Sequence, residues 1–325
     1  MSTLENDMEL LRRICGEQPK AVETEMPAKE DGPKLPEKPD AKGNGLGDIA
    51  GMEELKDLVT EGFINVLKNR RQAEAYGIRP PSMLFYGPAG CGKTFFAQKM
   101  AEELGINFMM IVPDDLACTW VHGTQQKIGE VFREAEKRAP TLLFFDEFDA
   151  MVPHRSGDEG NQHYAGEVNE FLCMLNNASE RGVYVLAATN HPERIDKCVL
   201  RAGRIDEMVY VDMPDREARR NLFDLKLSKL PAAEDIDTGR LADLTEGFNC
   251  SDISYIVGVA ARKMFNATVR ERAKDCRPIG QGLLEEVIAQ RSPSVSGKAL
   301  REYERVRKEF SPKDKGTQRA AIGFR

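Results

Sequence analysis

The sequence predicts an α/β fold in which a parallel five-stranded sheet lies between two layers of helices and is followed by a small α-helical domain. From Gly47 onward, short apolar segments alternate with amphipathic segments of helical length, which is the pattern of a parallel sheet covered on both faces. After Pro214 only helical patterns remain. The chain has 325 residues, of which 41% are hydrophobic, so it can bury the cores of one large and one smaller domain.

The elements of this three-layer fold follow in order along the chain. Apolar segments predict strands at 82–86, 107–112, 141–146, 183–188 and 207–211. Amphipathic spacing predicts helices at 52–69, 93–104, 124–138, 163–178 and 215–229. The large α/β domain would then occupy 47–213, and the small helical domain with a closing helix would occupy 214–310.

The terminal segments differ in composition from these domains. Apolar residues recur at helical spacing near the start, which predicts a short amphipathic helix over 1–17, although a frayed tail fits the same residues equally well. Residues 18–46 are rich in Pro, Gly, Lys and Glu, so we expect a flexible linker. Residues 311–325 are expected to form a flexible tail.

Composition excludes some classes of protein. No run of about 18 apolar residues occurs, so we expect no membrane span, and the first residues do not have the pattern of an export signal. The seven cysteines include no C-x-x-C pair, which suits reduced thiols in a cytoplasmic enzyme. A formal charge of −7 argues against a nucleic-acid binder, although a local basic strip stays possible.

A glycine-rich loop follows the first predicted strand and precedes a predicted helix, which is the context of a phosphate-binding loop. Small residues let backbone N–H groups face a phosphate, and the N-terminus of the following helix adds positive potential. In that arrangement Lys93 would reach the β- and γ-phosphates of ATP and Thr94 would ligate Mg²⁺. An ordinary Gly-rich turn is the alternative. The loop predicts a P-loop NTPase, and its residues are Gly87, Pro88, Ala89, Gly90, Cys91, Gly92, Lys93 and Thr94.

Two acids end the third predicted strand. Asp146 and Glu147 follow the apolar run 142–145, and alternation along a strand would point their carboxylates in different directions. Asp146 would hold Mg²⁺, and Glu147 would polarise the water that attacks the γ-phosphate. A solvated strand end is the alternative.

The fourth predicted strand ends in Thr189 and Asn190. Because the carboxyl ends of parallel strands meet at one crevice, Asn190 could hydrogen-bond the γ-phosphate or the attacking water. A turn-forming Asn before His191 and Pro192 explains the same residue more simply. Sequence reasoning alone favours the turn.

Together with the segments 187–196 and 199–206, these motifs resemble the classical AAA ATPases in order and spacing over about residues 47–310. The resemblance implies a small helical lid, catalytic roles for Lys93, Asp146, Glu147 and Asn190, and binding of ATP and Mg²⁺. It also implies that Arg201 and Arg204 reach into the ATP site of a neighbouring subunit. Such a shared site implies a homo-oligomer, a hexameric ring as in the family.

The resemblance also assigns the adenosine pocket. Asp48, Ile49 and Gly51 match the family segment whose backbone frames the adenine. Cys250 and Ser251 stand where the family has Gly-Ala, so they are expected beside the adenosine and phosphates. The family's ribose-contacting His is replaced, the nearest residue being Lys226, to which no contact is assigned.

A protein substrate is implied by the segment that the family places at its central pore. Trp120, the only tryptophan, would grip an extended polypeptide together with Val121, and His122 intervenes before the family's glycine. Core packing of Trp120 is the alternative. The N-terminal helix would recruit the substrate or an adaptor.

The resulting prediction is an ATPase that unfolds, disassembles or remodels proteins in a cytoplasmic ring. The altered Trp-Val-His-Gly segment and the lack of a recognisable N-terminal substrate domain favour an alternative, a switch or scaffold whose assembly ATP controls. A motor acting on nucleic acid is a third hypothesis, which the acidic composition disfavours.

Overall fold

The sheet is parallel and five-stranded, as predicted. The computed structural model describes residues 43–117, 123–153, 162–201, 203–272 and 275–310. Its strands run in the order β2-β3-β4-β1-β5, and each neighbouring pair is parallel. Each strand begins and ends within one residue of its predicted bounds; the strands are β1 (Met83–Tyr86), β2 (Asn107–Ile111), β3 (Thr141–Phe145), β4 (Val183–Thr189) and β5 (Glu207–Tyr210).

The helices of the described residues precede, connect and follow these strands. Up to β5 they are α1 (Glu53–Val59), α2 (Asn65–Lys68), α3 (Arg70–Ala75), α4 (Lys93–Leu104), α5 (Pro113–Leu116), α6 (Gly123–Lys137), α7 (Phe148–Met151) and α8 (Gln162–Leu175). After β5 come α9 (Arg216–Leu227), α10 (Thr238–Leu244), α11 (Cys250–Arg270), α12 (Gln281–Ala289) and α13 (Gly297–Phe310).

The first predicted helix, 52–69, is interrupted. A π-helical turn at Thr60–Ile64 separates α1 from α2. The wider turn contains Gly62, and it lets the adjacent Phe63 and Ile64 both be buried, with Val59 one turn earlier. Periodicity could not show this, because two neighbouring apolar residues fit a regular helix face equally well.

Both faces of the sheet are buried, because side chains alternate along each strand. On β1, Met83 and Phe85 belong to one core and Leu84 to the other. On β3, Phe144 and Phe145 divide in the same way. These two cores hold the strands in a fixed register, and the loops at the carboxyl edge of the sheet are thereby brought together.

The C-terminal helices have a third core of their own. Phe223 of α9, Leu241 of α10, Ile256 of α11 and Leu284 of α12 are all buried in it. A single parallel bridge joins Ala232 to Ile279, which helical patterning did not predict. The proposed division between domains at residue 214 stays a prediction, as do the termini.

Several predicted features lie outside the described residues. These include Trp120, Val121 and His122, the N-terminal segment up to residue 42, and the tail 311–325. Within the described ranges, no helix has the length and apolar character needed to cross a membrane.

Candidate active site

Three loops meet at the carboxyl edge of the sheet. Tyr86 at the end of β1 pairs with Thr189 at the end of β4, so Gly87 and Asn190 leave the sheet side by side. On the other side of β4, Phe145 at the end of β3 pairs with Ala187. The phosphate-binding loop, Asn190 and the acidic pair after β3 therefore converge on one crevice, as parallel topology requires.

Glycine is required where the loop makes its closest approaches. At Gly87 a Cβ atom would lie 2.2 Å from the carbonyl oxygen of Val211, which follows β5. At Gly90 the backbone φ is +76°, and a Cβ would lie 2.6 Å from Nδ2 of Asn249. The loop then passes into α4 at Lys93, which is the conformation that presents backbone N–H groups to a phosphate.

The Lys93 ammonium is buried inside the phosphate-binding loop. Its Nζ donates to the carbonyl oxygens of Gly87 and Pro88 at 3.0 and 2.8 Å and to Oδ1 of Asn190 at 2.6 Å. Burial lowers the pKa of Lys93 to about 8. An ATP phosphate would partly replace these three acceptors of the amine. Asn190 lies beside Lys93 rather than in an isolated turn.

Thr94 and Asp146 form an oxygen-rich pair. The Thr94 hydroxyl donates to Oδ2 of Asp146 at 2.7 Å, and Oδ1 of Asp146 accepts from the backbone N–H of Glu147 at 3.0 Å. Hydroxyl and carboxylate oxygens are the ligands that Mg²⁺ prefers in proteins. The residues present therefore fit a Mg²⁺ ion bound next to the phosphate-binding loop.

Glu147 is exposed, and it lies beyond the strand whose alternation was predicted to direct its side chain. The strand ends at Phe145, so strand alternation does not extend to the acids. Instead the backbone of Glu147 is left-handed, with φ 51°. Residues other than glycine rarely adopt a left-handed backbone conformation, and those that do are concentrated at functional sites.

The end of β4 is fixed by several hydrogen bonds. The buried Thr189 hydroxyl donates to Oδ1 of Asp149 at 2.6 Å and accepts from the backbone N–H of His191 at 2.8 Å. The carbonyl oxygen of Asn190 accepts from the hydroxyl of Tyr303 on α13 at 2.7 Å. Asp149 therefore has a structural partner, and the C-terminal helix touches the candidate site directly.

A cavity of about 310 Å³ lies beside the phosphate-binding loop. Apolar side chains and the start of α11 surround it, which fits a nucleobase and ribose. Lys226 also lines it, although no contact was assigned to this residue from the sequence. Among the lining residues are Asp48, Ile49, Met52, Phe95, Cys250 and Ser251.

Asp48 and Gly51 support this cavity in different ways. Lys99 binds Oδ2 of Asp48 at 2.5 Å, and this hydrogen bond lowers the pKa of the carboxyl group. Gly51 has φ +65°, and a Cβ there would lie 2.5 Å from Cβ of Ala218 on α9. Gly51 therefore packs closely against α9. The role of the segment 48–51 at the adenine stays a prediction.

Cys91 is buried and Cys250 is half-buried, and both contribute neutral thiols. Burial raises the pKa of Cys91 to about 12 and that of Cys250 to about 11. Both thiols are therefore protonated at neutral pH, where they act as small, weakly polar packing groups.

Arg201 and Arg204 lie at the opposite edge of the sheet. Arg201 is exposed, and Nη1 of Arg204 donates to the carbonyl oxygen of Cys198 at 2.5 Å. Their loop leads directly into β5, whose first residue, Glu207, pairs with the first residue of β1. Asp206 fastens the loop there by hydrogen bonds with the backbone of Ser82. In the described chain, the arginines are not brought to the phosphate-binding loop.

Some contacts of the site were missed from the sequence. Phe95 and Met52 line the cavity, and Asn249 contacts the loop. For Asn249 a signal existed, since an Asn just before a helical pattern is a common N-cap. For Phe95 and Met52 the sequence offers no local signal, because their place depends on how α9 packs.

Comparison with known proteins supports the assignment. Residues 83–213 match the family model described as the ATPase family associated with various cellular activities (AAA). Over 274 residues, or 81% of the chain, the sequence is 33% identical to the Cell division cycle protein 48 homolog of Archaeoglobus fulgidus. The chain spans 37% of the length of that relative. The phosphate-binding loop, the five-stranded parallel sheet and these similarities show that the chain belongs to the AAA family of ATPases.

Proposed function

We propose that the chain is a subunit of a homohexameric ring that hydrolyses ATP to unfold, disassemble or remodel a protein substrate in the cytoplasm. The substrate would pass through a central pore lined by Trp120, Val121 and His122. The N-terminal segment would recruit the substrate or an adaptor. Resemblance to the AAA ATPases supports the ring and the protein substrate.

The observation that carries the proposal is the position of the two arginines. The phosphate-binding loop leaves the carboxyl end of β1, whereas the arginine loop is bound to Ser82 at the amino end of the same strand. β1 contains four residues, which correspond to roughly 13 Å of strand. The loop that carries Arg201 and Arg204 is therefore attached at the opposite end of β1 from the phosphate-binding loop, which supports a role for both arginines in the site of a neighbouring chain.

In the assembled site, hydrolysis begins when water attacks the γ-phosphorus and the bond to the β–γ bridging oxygen breaks. The Glu147 carboxylate accepts a hydrogen bond from this water and orients it. Lys93 and Asn190 hold the γ-phosphate oxygens. Thr94 and Asp146 would hold Mg²⁺, which would supply positive charge to the phosphates.

Arg201 and Arg204 of the neighbouring chain would complete the site. A guanidinium group keeps its charge at all relevant pH values and can bind two phosphate oxygens at once. Arginines of this kind raise the rate of related enzymes by about 10³- to 10⁵-fold. An isolated chain is therefore expected to bind ATP and to hydrolyse it slowly.

The test is a subunit-mixing experiment. Arg204→Ala chains keep a complete phosphate-binding loop, and Lys93→Ala chains keep both arginines, so each variant alone is expected to be inactive. Mixed rings should recover ATP turnover, because a Lys93→Ala chain can supply its arginines to an Arg204→Ala neighbour. Phosphate release is measured across mixing ratios.

An Arg262→Ala variant, which changes an exposed arginine on α11, is the matched control and should be fully active. Absence of recovery at every ratio, with both variants shown to assemble, would contradict a site shared between chains. Full activity of Arg204→Ala alone would contradict it equally.

A further inference from the structure

Three consecutive carbonyl groups of the phosphate-binding loop contact the start of α11. The carbonyl oxygen of Ala89 accepts from Nδ2 of Asn249 at 3.0 Å. That of Gly90 accepts from the backbone N–H of Ser251 at 3.1 Å. That of Cys91 lies 3.8 Å from Sγ of Cys250, within the range of a weak thiol hydrogen bond. The outer side of the loop is therefore bound by the helical domain.

These contacts use groups that a helix start leaves available. The first N–H groups of a helix have no partner inside the helix. In α11 one of them, from Ser251, is satisfied by the loop carbonyl of Gly90. A second, from Asp252, donates to Oδ1 of Asn249 at 2.7 Å, which makes Asn249 the N-cap of α11.

Asn249 therefore has two roles at once. Because its Oδ1 accepts from Asp252, its Nδ2 must be the atom that faces Ala89, and the orientation of the amide is settled by the network. Serine and aspartate also cap helices well, but neither has a side-chain N–H to donate to the loop. The bond to Ala89 thus depends on asparagine.

Burial and neighbouring contacts restrict the position of Asn249. Its side chain is only 3% exposed, and it fills the space next to Gly90 in which a Cβ would clash. Its backbone N–H donates to Oδ2 of the buried Asp252 at 3.2 Å. The same oxygen accepts from the backbone N–H of Ser294 at 3.1 Å, in the segment leading to α13. Asp252 therefore links the N-cap to the segment before α13.

We propose that Asn249 is a positioning residue that ties the helical domain to the phosphate-binding loop and fixes how the loop presents its N–H groups to ATP. In a peptide unit the N–H points opposite to the C=O. Holding the Ala89 and Gly90 carbonyls outward therefore aims the N–H groups of Gly90 and Cys91 into the loop, where they form an anion-binding nest. The proposal rests on the proposed ATP binding, and it adds a residue that acts through the loop without touching the nucleotide.

The test compares two variants that keep the helix cap. Asn249→Ser removes only the donor to Ala89. The loop must then be ordered when ATP binds, so binding of a fluorescent ATP analogue is expected to weaken several-fold, up to about tenfold, which is the limit set by one lost buried hydrogen bond. Asn249→Asp places a carboxylate oxygen against the Ala89 carbonyl and should weaken binding further. Backbone amides of residues 87–92 should exchange with deuterium faster in both variants, measured without nucleotide. At saturating ATP, kcat of Asn249→Ser should stay within about twofold of the unchanged chain, so the loss falls on KM.

The matched control is Asp237→Ser, which changes the N-cap of α10, where Oδ1 of Asp237 accepts from the N–H of Arg240 at 2.9 Å. It should alter neither nucleotide affinity nor exchange in the loop. Unchanged affinity and exchange in Asn249→Ser, with ATP binding intact in the unchanged chain, would overturn the positioning role alone. Failure of the unchanged chain to bind ATP would instead overturn the proposed function. Loss of the folded state in Asn249→Ser, seen by circular dichroism, would show a general structural role and also overturn the proposal.

Discussion

At the scale of single residues, the most informative group is Lys93. Its ammonium is buried among two carbonyl oxygens and the amide oxygen of Asn190. These dipoles do not fully replace water, so burial lowers the pKa of Lys93 to about 8. Without nucleotide, the Lys93 amine therefore loses its positive charge as the pH rises through about 8, which lies within the usual range of enzyme assays.

We predict that ATP affinity changes little between about pH 7 and pH 7.5 and then falls, the slope approaching about tenfold per pH unit well above pH 8. A bound phosphate stabilises the charged amine, so binding raises the pKa of Lys93 and takes up a proton wherever the amine is deprotonated before ATP binds. Binding is measured between pH 6.5 and 9.5 by titration calorimetry. Two buffers with different ionisation enthalpies should report proton uptake above pH 8. The same affinity at pH 7 and pH 9 would contradict the prediction.

The sequence indicated the position of some residues at the crevice more directly than that of others. A strand, a loop and a helix start that follow one another in the chain place Lys93 and Thr94, whereas Asp146 reaches Thr94 because parallel topology brings the end of β3 to the same edge of the sheet. Asn190 was ambiguous, since its place beside Lys93 depends on the pairing of β1 with β4. The left-handed turn at Glu147 and the bond from Asn249 to Ala89 depend on tertiary packing, which no local pattern encodes.

At the scale of elements, α13 is attached to the end of the sheet that carries the site. Its Tyr303 hydroxyl donates to the carbonyl oxygen of Asn190 at 2.7 Å, and Val306 is buried. Arg307 lies over the ring of Tyr210, 5.0 Å from its centroid. The strands were predictable from short apolar segments and most helices from their regular period, whereas the attachment point of α13 is a long-range contact.

We predict that Tyr303→Phe lowers kcat several-fold and leaves KM for ATP nearly unchanged. The variant keeps the ring but frees the backbone of Asn190, whose side chain is proposed to hold the γ-phosphate in the reaction rather than to bind ATP in the ground state. Turnover and nucleotide affinity are measured together with the thermal midpoint. The control is Tyr255→Phe, a tyrosine on α11 whose ring contacts Arg291. An equal loss of ATP affinity and kcat would contradict the prediction, because it would show that the variant disturbs the whole site.

At the scale of the whole molecule, the proposed ring requires each ATP site to be completed by a second chain. Residues at the carboxyl edge of the sheet would bind the nucleotide, and the arginines at the amino edge would serve the next chain. The register of β1 with β5 places the arginine loop at the amino edge, so the two proposed interface surfaces would lie at opposite edges of the sheet. Sequence could predict a role for the arginines only by resemblance, because the proposed partners belong to another molecule.

The pore hypothesis is tested with Trp120. We predict that Trp120→Ala keeps ATP turnover within about twofold, since the residue has no proposed part in hydrolysis, but loses retention of protein substrate. Glu147→Gln is expected to bind ATP without hydrolysing it and so to hold a substrate in the ring. Proteins retained by Glu147→Gln in ATP are compared with those retained by the double variant Trp120→Ala, Glu147→Gln.

Tyr76→Ala in the Glu147→Gln background is the control, because Tyr76 is a strongly exposed aromatic residue at 83% with no proposed pore role. The proteins held by Glu147→Gln should be held equally by this control and released by the Trp120 double variant. Equal retention by both double variants would exclude gripping by Trp120. Assembly on ATP with no protein retained by any variant would favour the ATP-controlled switch, because such a switch needs the shared site but no threaded chain.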